Sequence, residues 1–428
     1  MAALAKRALA AYAAVALPLA AAALPVHVHI PKFYAGLGLE LAVVGVLLLA
    51  VRLLDAISDP LLGALADRIP ESRGGRRAMI AVAAPLLAAG LWLLFTPPSS
   101  PATLAPWLAA TLVLSYLGLS AASIAHFALG SALSHDYVER TRITAARGVA
   151  ALAGVLLAAA LPELLVQRLG ADEGLSLFAL LFAPLLLAAT AVTVLAGPKP
   201  PVAARALPLS LGAILQPLRN PRFRRLALVF LVNGVSAAVP ATLLLFFAAD
   251  VLQRPDLTPL FLVLYFLAGA AGMPLWVKLA ARFGKARAWL AGMGLAVAAF
   301  VWAWFLGAGD AAAFAAVCVM SGLAFGSDLA LPASLLADVV DDDEHGGSRP
   351  DGAYFGLWHL LEKLALALAA GITLPALQWL GYQPGAAAAA GSALSAVYAL
   401  LPCLIKIAAA LLLWRTVREA RPTQGDPA

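Results

Sequence analysis

The sequence predicts an all-α integral membrane protein, with twelve transmembrane helices arranged as two pseudo-symmetric six-helix bundles. Three observations carry that prediction. Apolar residues make up 63% of the chain and charged ones only 12%, about half the charged share of a soluble domain. The apolar residues gather into runs, each close to the roughly 20 residues that a bilayer core of ~30 Å demands of a helix. One loop pattern also recurs at half the length of the chain.

In order, the runs lie near 8–30, 39–66, 78–96, 105–131, 145–167, 174–196, 226–249, 258–280, 287–307, 311–336, 353–380 and 390–414. The first, with Lys6 and Arg7 ahead of Ala-rich sequence, has the outline of a signal peptide. Eleven further runs follow it, so it reads as the first helix. Lys and Arg crowd the termini and alternate loops, whereas the opposite loops hold only Lys32, Arg168 and Arg254. By the positive-inside rule both termini are cytoplasmic, in a plasma (inner) membrane.

The longest polar stretch, GPKPPVAARALPLSLGAILQPLRNPRFRR, divides the chain. It gives a six-helix bundle over 1–196, a cytoplasmic linker over 197–225, a second bundle over 226–416 and a tail over 417–428. After the second run of each half stand DPLLGALADRIPESRGGRR and MPLWVKLAARFGKAR. Pro60 pairs with Pro274 and Arg68 with Arg282, both at an offset of 214, half of 428. Two related six-helix halves are the plan of many secondary transporters, which bind their solute near the membrane midplane.

Several function classes are excluded. The net charge of +6 sits in short loops between apolar runs and sets orientation, so no nucleic-acid partner is expected. Cys318 and Cys403 both lie in apolar runs and form no disulfide framework. There is no phosphate-binding Gly-Lys-Ser/Thr motif for ATP-driven transport and no nucleophile–base pair of a hydrolase. The chain does not read as an enzyme and calls for no organic cofactor.

The stretch RLLDAISDPLLG, residues 52–63, puts Arg52, Asp55 and Asp59 within an apolar run. Positions 55 and 59 are one turn apart on one helix face, with Arg52 on the same side and Ser58 at its edge. A charge near the bilayer centre costs about 2.5–3.5 kcal/mol on insertion scales, so such residues face a cavity and pair. Two neighbouring carboxylates repel unless one takes a proton or a cation sits between them. Two carboxylates and a hydroxyl are the beginning of an oxygen shell for a hard cation. The plainer alternative is an Arg52–Asp55 salt bridge with Asp59 near the helix end. Adding 214 to 55 and 59 gives Gly269 and Met273, so the other half lacks these acids. A need in one half only points to a task, not to the scaffold.

The loop pattern resembles the signature between helices 2 and 3 of the major facilitator superfamily. RLLDAISDPLLGALADR is similar to the second helix of the glycoside–pentoside–hexuronide:cation symporters within it. ADVVDDDEHGGSRPDGAYFGLWHLLEK resembles a second block of that family, in which a Lys follows an Arg after fourteen residues, as Lys363 follows Arg349. The resemblance implies that Asp55 and Asp59 bind the coupling cation, sodium or a proton, with Ser58 as auxiliary ligand. It places Lys363 at the coupling site, where with Arg52 it would balance the carboxylates. By the same resemblance the chain is a secondary transporter, carrying a small organic solute such as a sugar or glycoside by alternating access. Coupling cation, solute and lipid bilayer are then its partners, and a monomer its working unit.

The departures matter as well. Members that carry melibiose grip sugar hydroxyls with acids in helices 1 and 4. Here helix 1 has none, and helix 4 offers Ser120, Ser123, His126 and Phe127 instead. Arg147 resembles the family's helix 5 arginine, one residue out of register. Asp328, inside the tenth run, reads as a substrate-site or proton-relay residue. His359, one turn before Lys363, is a further candidate for the solute site. His27 and His29 face different sides of a helix and make no metal pair. Asp67, Arg68, Arg76, Arg77, Arg282, Lys285 and Arg287 read as a conformational latch of helix-capping charges. The acidic run at 341–344 reads as solvated or salt-bridged. Two competing readings remain: carriage of a lysolipid or hydrophobic compound on the same fold, and a non-transporting membrane sensor.

Overall fold

A computed structural model describes residues 4–68, 75–133, 137–198, 216–342, 351–385 and 391–419. Among these residues the regular structure is helical, and twelve helical spans are long and apolar enough to cross a membrane. Spans 1 to 6 are Lys6–Gly36, Leu41–Gly63, Gly75–Leu94, Pro101–Gly130, Arg142–Leu169 and Ala171–Ala196. Spans 7 to 12 are Pro221–Val251, Pro255–Phe283, Lys285–Phe305, Ala311–Val340, Gly356–Trp379 and Ser392–Thr416. The chain divides into two compact units, Met1–Pro208 and Leu209–Ala428.

Local chemistry sets the ends. Pro101 occupies the first turn of span 4, where a missing N–H costs nothing. Span 7 begins inside the stretch expected as linker: Asn220 caps it, its Oδ1 accepting from Arg222 N at 2.9 Å and Phe223 N at 3.3 Å. Gly170 at φ 88° and Gly284 at φ 89° turn the chain between spans 5 and 6 and between spans 8 and 9. Both angles lie where a Cβ would be strained. Spans 7 and 12 each contain a π-helical turn, at Phe247–Val251 and Ala396–Leu400.

Within the first unit, spans 3 and 4 pack backbone against backbone. A Cβ on Gly118 would lie 2.5 Å from Leu87 N, and one on Gly90 2.7 Å from Ser115 N. Small residues allow such approach where lipid gives helices no hydrophobic drive to associate. Phe33, Phe95, Phe178 and Phe182 form a chain of ring contacts, and Tyr34 donates to Leu94 O at 2.9 Å. In the second unit, Phe223, Trp276, Trp289, Tyr354 and Trp358 fill the core. Tyr382, after span 11, donates to Asp250 of span 7. Burial, then that carboxylate, holds the Tyr382 phenol above its ordinary range.

Candidate functional site

The side chains of span 2 separate into two faces. Leu41, Val44, Leu48, Val51, Arg52, Asp55 and Ala56 are buried, at the three- and four-residue spacing of one helical stripe. Leu53, Leu54, Ile57, Leu61 and Leu65 are exposed. The charges therefore ride the inward face, with Asp59 and Ser58 part-buried one turn on.

Asp55 is 5% exposed and accepts a 2.7 Å hydrogen bond from Ser120 Oγ on span 4. The hydroxyl of Ser58 donates to Asp55 O at 2.8 Å, so its oxygen keeps lone pairs for a further partner. Arg52 donates to the ring of His27 on span 1, with Nδ1 3.1 Å away. Its guanidinium also lies 4.3 Å from the centre of the Tyr116 ring. Among the described residues Arg52 makes no ion pair with Asp55, so the plain salt-bridge reading of this pair does not hold. Arg52 is held by neutral groups of other spans.

The second unit uses the corresponding helices differently. Gly269, in register with Asp55, lies where an added Cβ would be 3.1 Å from Phe325, and one on Gly326 would be 2.7 Å from Gly269 O. Spans 8 and 10 pack backbone on backbone there. Spans 2 and 4 instead carry a carboxylate and a hydroxyl.

Nearer the start of span 1 its helix is interrupted between Ala13 and Ala16. Thr193 of span 6 accepts from Val15 N at 3.3 Å and donates to Ala11 O at 2.8 Å. His126 of span 4 bonds to Tyr12 O at 2.9 Å, and Tyr12 donates back to His126 O at 3.4 Å. Broken helices survive in a membrane only where other groups meet the freed backbone. They also mark binding sites in transporters. His126 thus holds this break. Arg147 of span 5 stacks 3.8 Å from the centre of Phe127, which is 44% exposed. Ser123 is part-buried.

Asp328 has partners that the sequence reading did not single out. Lys406 of span 12 donates to Asp328 Oδ2 at 3.0 Å and to Asn233 Oδ1 of span 7 at 2.8 Å. Trp289 of span 9 donates to Asp328 Oδ1 at 2.7 Å. This is a buried ion pair joining four spans of one unit. His359 pairs with Glu362 at 3.0 Å, both half-exposed, and Lys363 is part-buried.

Two of the charges read as a latch bond to helix carbonyls within their own units. Arg77 donates to Val194 O at 3.0 Å, and Lys285 bonds to Asp338 at 2.5 Å and Ser334 O at 3.2 Å. Cations belong at carbonyl ends. Arg76 is buried, Arg282 lies over Phe283 and Arg287 is exposed. The side chains of Asp67 and Arg68, and all of Arg349 with positions 343–350, lie outside the described residues. Glu163 of span 5, 5% exposed beside buried His29, was missed too. The cost of intramembrane charge, applied to every run, points to both Glu163 and Lys406.

A family model described as MFS/sugar transport protein matches residues 11–417. Escherichia coli (strain K12) has an inner membrane symporter, YicJ, 27% identical over 259 residues, 58% of this chain and 55% of YicJ. The match thus spans just over half the length of that relative. The uncharacterized symporter YjmB of Bacillus subtilis (strain 168) is 23% identical over 91% of this chain and 86% of its own. The putative glycoside/cation symporter YagG of Escherichia coli (strain K12) is 26% identical over 81% and 76%. Among solved structures, the nucleoside transporter NupG superposes with a TM-score of 0.72 at 12% identity, over 97% of this chain and 100% of that one. A bacterial homologue of the human lysosomal transporter Spinster gives 0.70 at 14%, covering 98% of each. With the twelve spans, these likenesses establish an integral membrane protein of the major facilitator fold. The chain belongs to the MFS/sugar transport protein family of membrane transporters.

Proposed function

We propose that the chain is a cation-coupled symporter of a small organic solute, working by alternating access. Asp55 and Asp59, with Ser58, take the cation, either sodium or a proton. The observation that carries this reading is Asp55 itself, buried on the inward stripe of span 2 and bonded by Ser120 across to span 4. A carboxylate on that buried stripe, with a hydroxyl donating to it from another span, supplies oxygen ligands of the kind a hard cation takes. The stitched break in span 1 and the Arg147–Phe127 stack supply a face for the solute. One relative is named a putative glycoside/cation symporter, which favours a glycoside.

Calorimetric titration of the purified protein in nanodiscs with sodium chloride, against choline chloride and with proton exchange followed in weak buffer, tests the cation site. Sodium binding or stoichiometric proton uptake is expected in the wild type and is lost in Asp55→Asn. Unchanged binding in that variant removes span 2 from the account.

The same reading places both termini in the cytoplasm. Cysteine at exposed Arg287 should then react with an impermeant maleimide only from the cytoplasmic side, and cysteine at exposed Arg168 only from the other. The reverse pattern would invert the topology.

A further inference from the structure

Two buried acids of the first unit lie outside the cation site, Glu139 ahead of span 5 and Glu163 within it. Glu163 of span 5 places Oε2 3.6 Å from Nε2 of His29 on span 1. The two residues are 5% and 2% exposed, and neither ring nitrogen of His29 has a hydrogen-bond partner. They sit near Gly36 and Leu169, the far ends of their spans from Lys6 and Arg142.

Charge bookkeeping limits what such a pair can be. With one proton it is imidazolium and carboxylate, or imidazole and carboxylic acid, and either form is neutral overall. With none it is a bare buried carboxylate, and with two a bare buried imidazolium, both strongly disfavoured in an apolar interior. Among the described residues no other charge stands within ion-pair distance of either. The remaining titratable groups on the packed spans are committed elsewhere or lie at the ends. On span 1 these are Lys6, Arg7 and Tyr12 toward its start, His27, held by Arg52, Lys32 and Tyr34, and on span 5 Arg142 at its start and Arg147, over Phe127. Arg52 and Asp55 on span 2 and Tyr116 on span 4 belong to the cation site. Arg168, Asp172 and Glu173 are exposed at the mouth of spans 5 and 6.

The helices are loosened at this level. Pro25 and Pro31 flank His29 within its helix, and Pro162 precedes Glu163. Each proline removes one backbone hydrogen bond and bends the helix readily. Lower down the same two spans are locked, since a Cβ on Gly154 would lie 2.0 Å from Leu17 O.

We propose that His29 and Glu163 form a proton-binding site, separate from the span 2 carboxylates, that fastens the far ends of spans 1 and 5 while it holds one proton. Loss of that proton leaves a bare carboxylate. The two ends then part at the proline level to let water reach it. The ligand is the proton itself, so the proposal does not rest on the identity of any solute or on the symport reading.

The test is hydrogen–deuterium exchange of the full chain in nanodiscs, from about pH 5 to about pH 9, the range in which histidine chemistry operates. Rates are corrected for the intrinsic pH dependence of exchange. The wild type should show a step in exchange confined to residues 25–36 and 158–169. Glu163→Gln keeps the volume and carries no charge to expose, so it should fold and lose the step. His29→Gln should lose it too, and Asp55→Asn should keep it. A step that survives in Glu163→Gln, or no step in the wild type, overturns the proposal.

Discussion

Replacing Asp55 by Asn is expected to abolish cation-driven accumulation of solute while leaving the protein folded and in the membrane. Asparagine keeps the volume and an oxygen for Ser120 to donate to, so the span 2–span 4 contact survives. What disappears is one unit of negative charge. Removing one charged partner from a buried set costs about 3–5 kcal/mol. At ~1.4 kcal/mol per tenfold, that is a loss of at least ~100-fold in cation affinity. Asp59→Asn should act in the same direction. Ser120→Ala should cost less, about 1.5–3 kcal/mol, the usual worth of a hydrogen bond to a charged group. The cation concentration at half-maximal initial uptake, measured for the three variants, checks the order. Equal effects of Ser120→Ala and Asp55→Asn would show that packing, not charge, is being read.

The second large effect belongs to stability. Lys406→Ala leaves Asp328 as a buried carboxylate whose remaining partner among the described groups is the Trp289 N–H. A loss of about 3–5 kcal/mol is expected, seen as early unfolding on heating in detergent. Joining Lys406→Met with Asp328→Asn removes both charges together and keeps an acceptor for Trp289. That double variant should recover most of the loss, because the cost lies in the unpaired charge. Strictly additive losses would mean that the two side chains do not depend on each other.

These two sites were unequally legible in the sequence. The spans were readable because a fixed hydrocarbon thickness imposes a fixed length on apolar helices. Asp55 stood out for a similar reason: a carboxylate within such a run is too costly to be idle. The inward stripe of span 2 followed from helical periodicity. Pairings between distant spans did not, since nothing local in LPELLVQRL says that Glu163 meets His29, or in LPCLIKIAA that Lys406 meets Asp328. The break at Ala14 and Val15 had one local mark, Pro18, which cannot bond the Ala14 carbonyl. Its supports, Thr193 and His126, were hidden, since they come from spans 6 and 4. His126, expected at the solute site, turns out to hold that break. The early start of span 7 comes from a cap: Asn220 and Pro221 draw the basic RFRR segment into the helix, where polarity alone suggested linker.

Coupled transport is most directly tested by uptake into proteoliposomes, with a panel of radiolabelled glycosides and other small solutes and an imposed sodium or proton gradient. The account predicts that at least one solute accumulates above its external concentration, that the accumulation collapses with an ionophore for the coupling ion, and that Asp55→Asn brings that solute only to equilibrium. Uptake of a solute to equilibrium alone in the wild type, indifferent to both gradients, would contradict it.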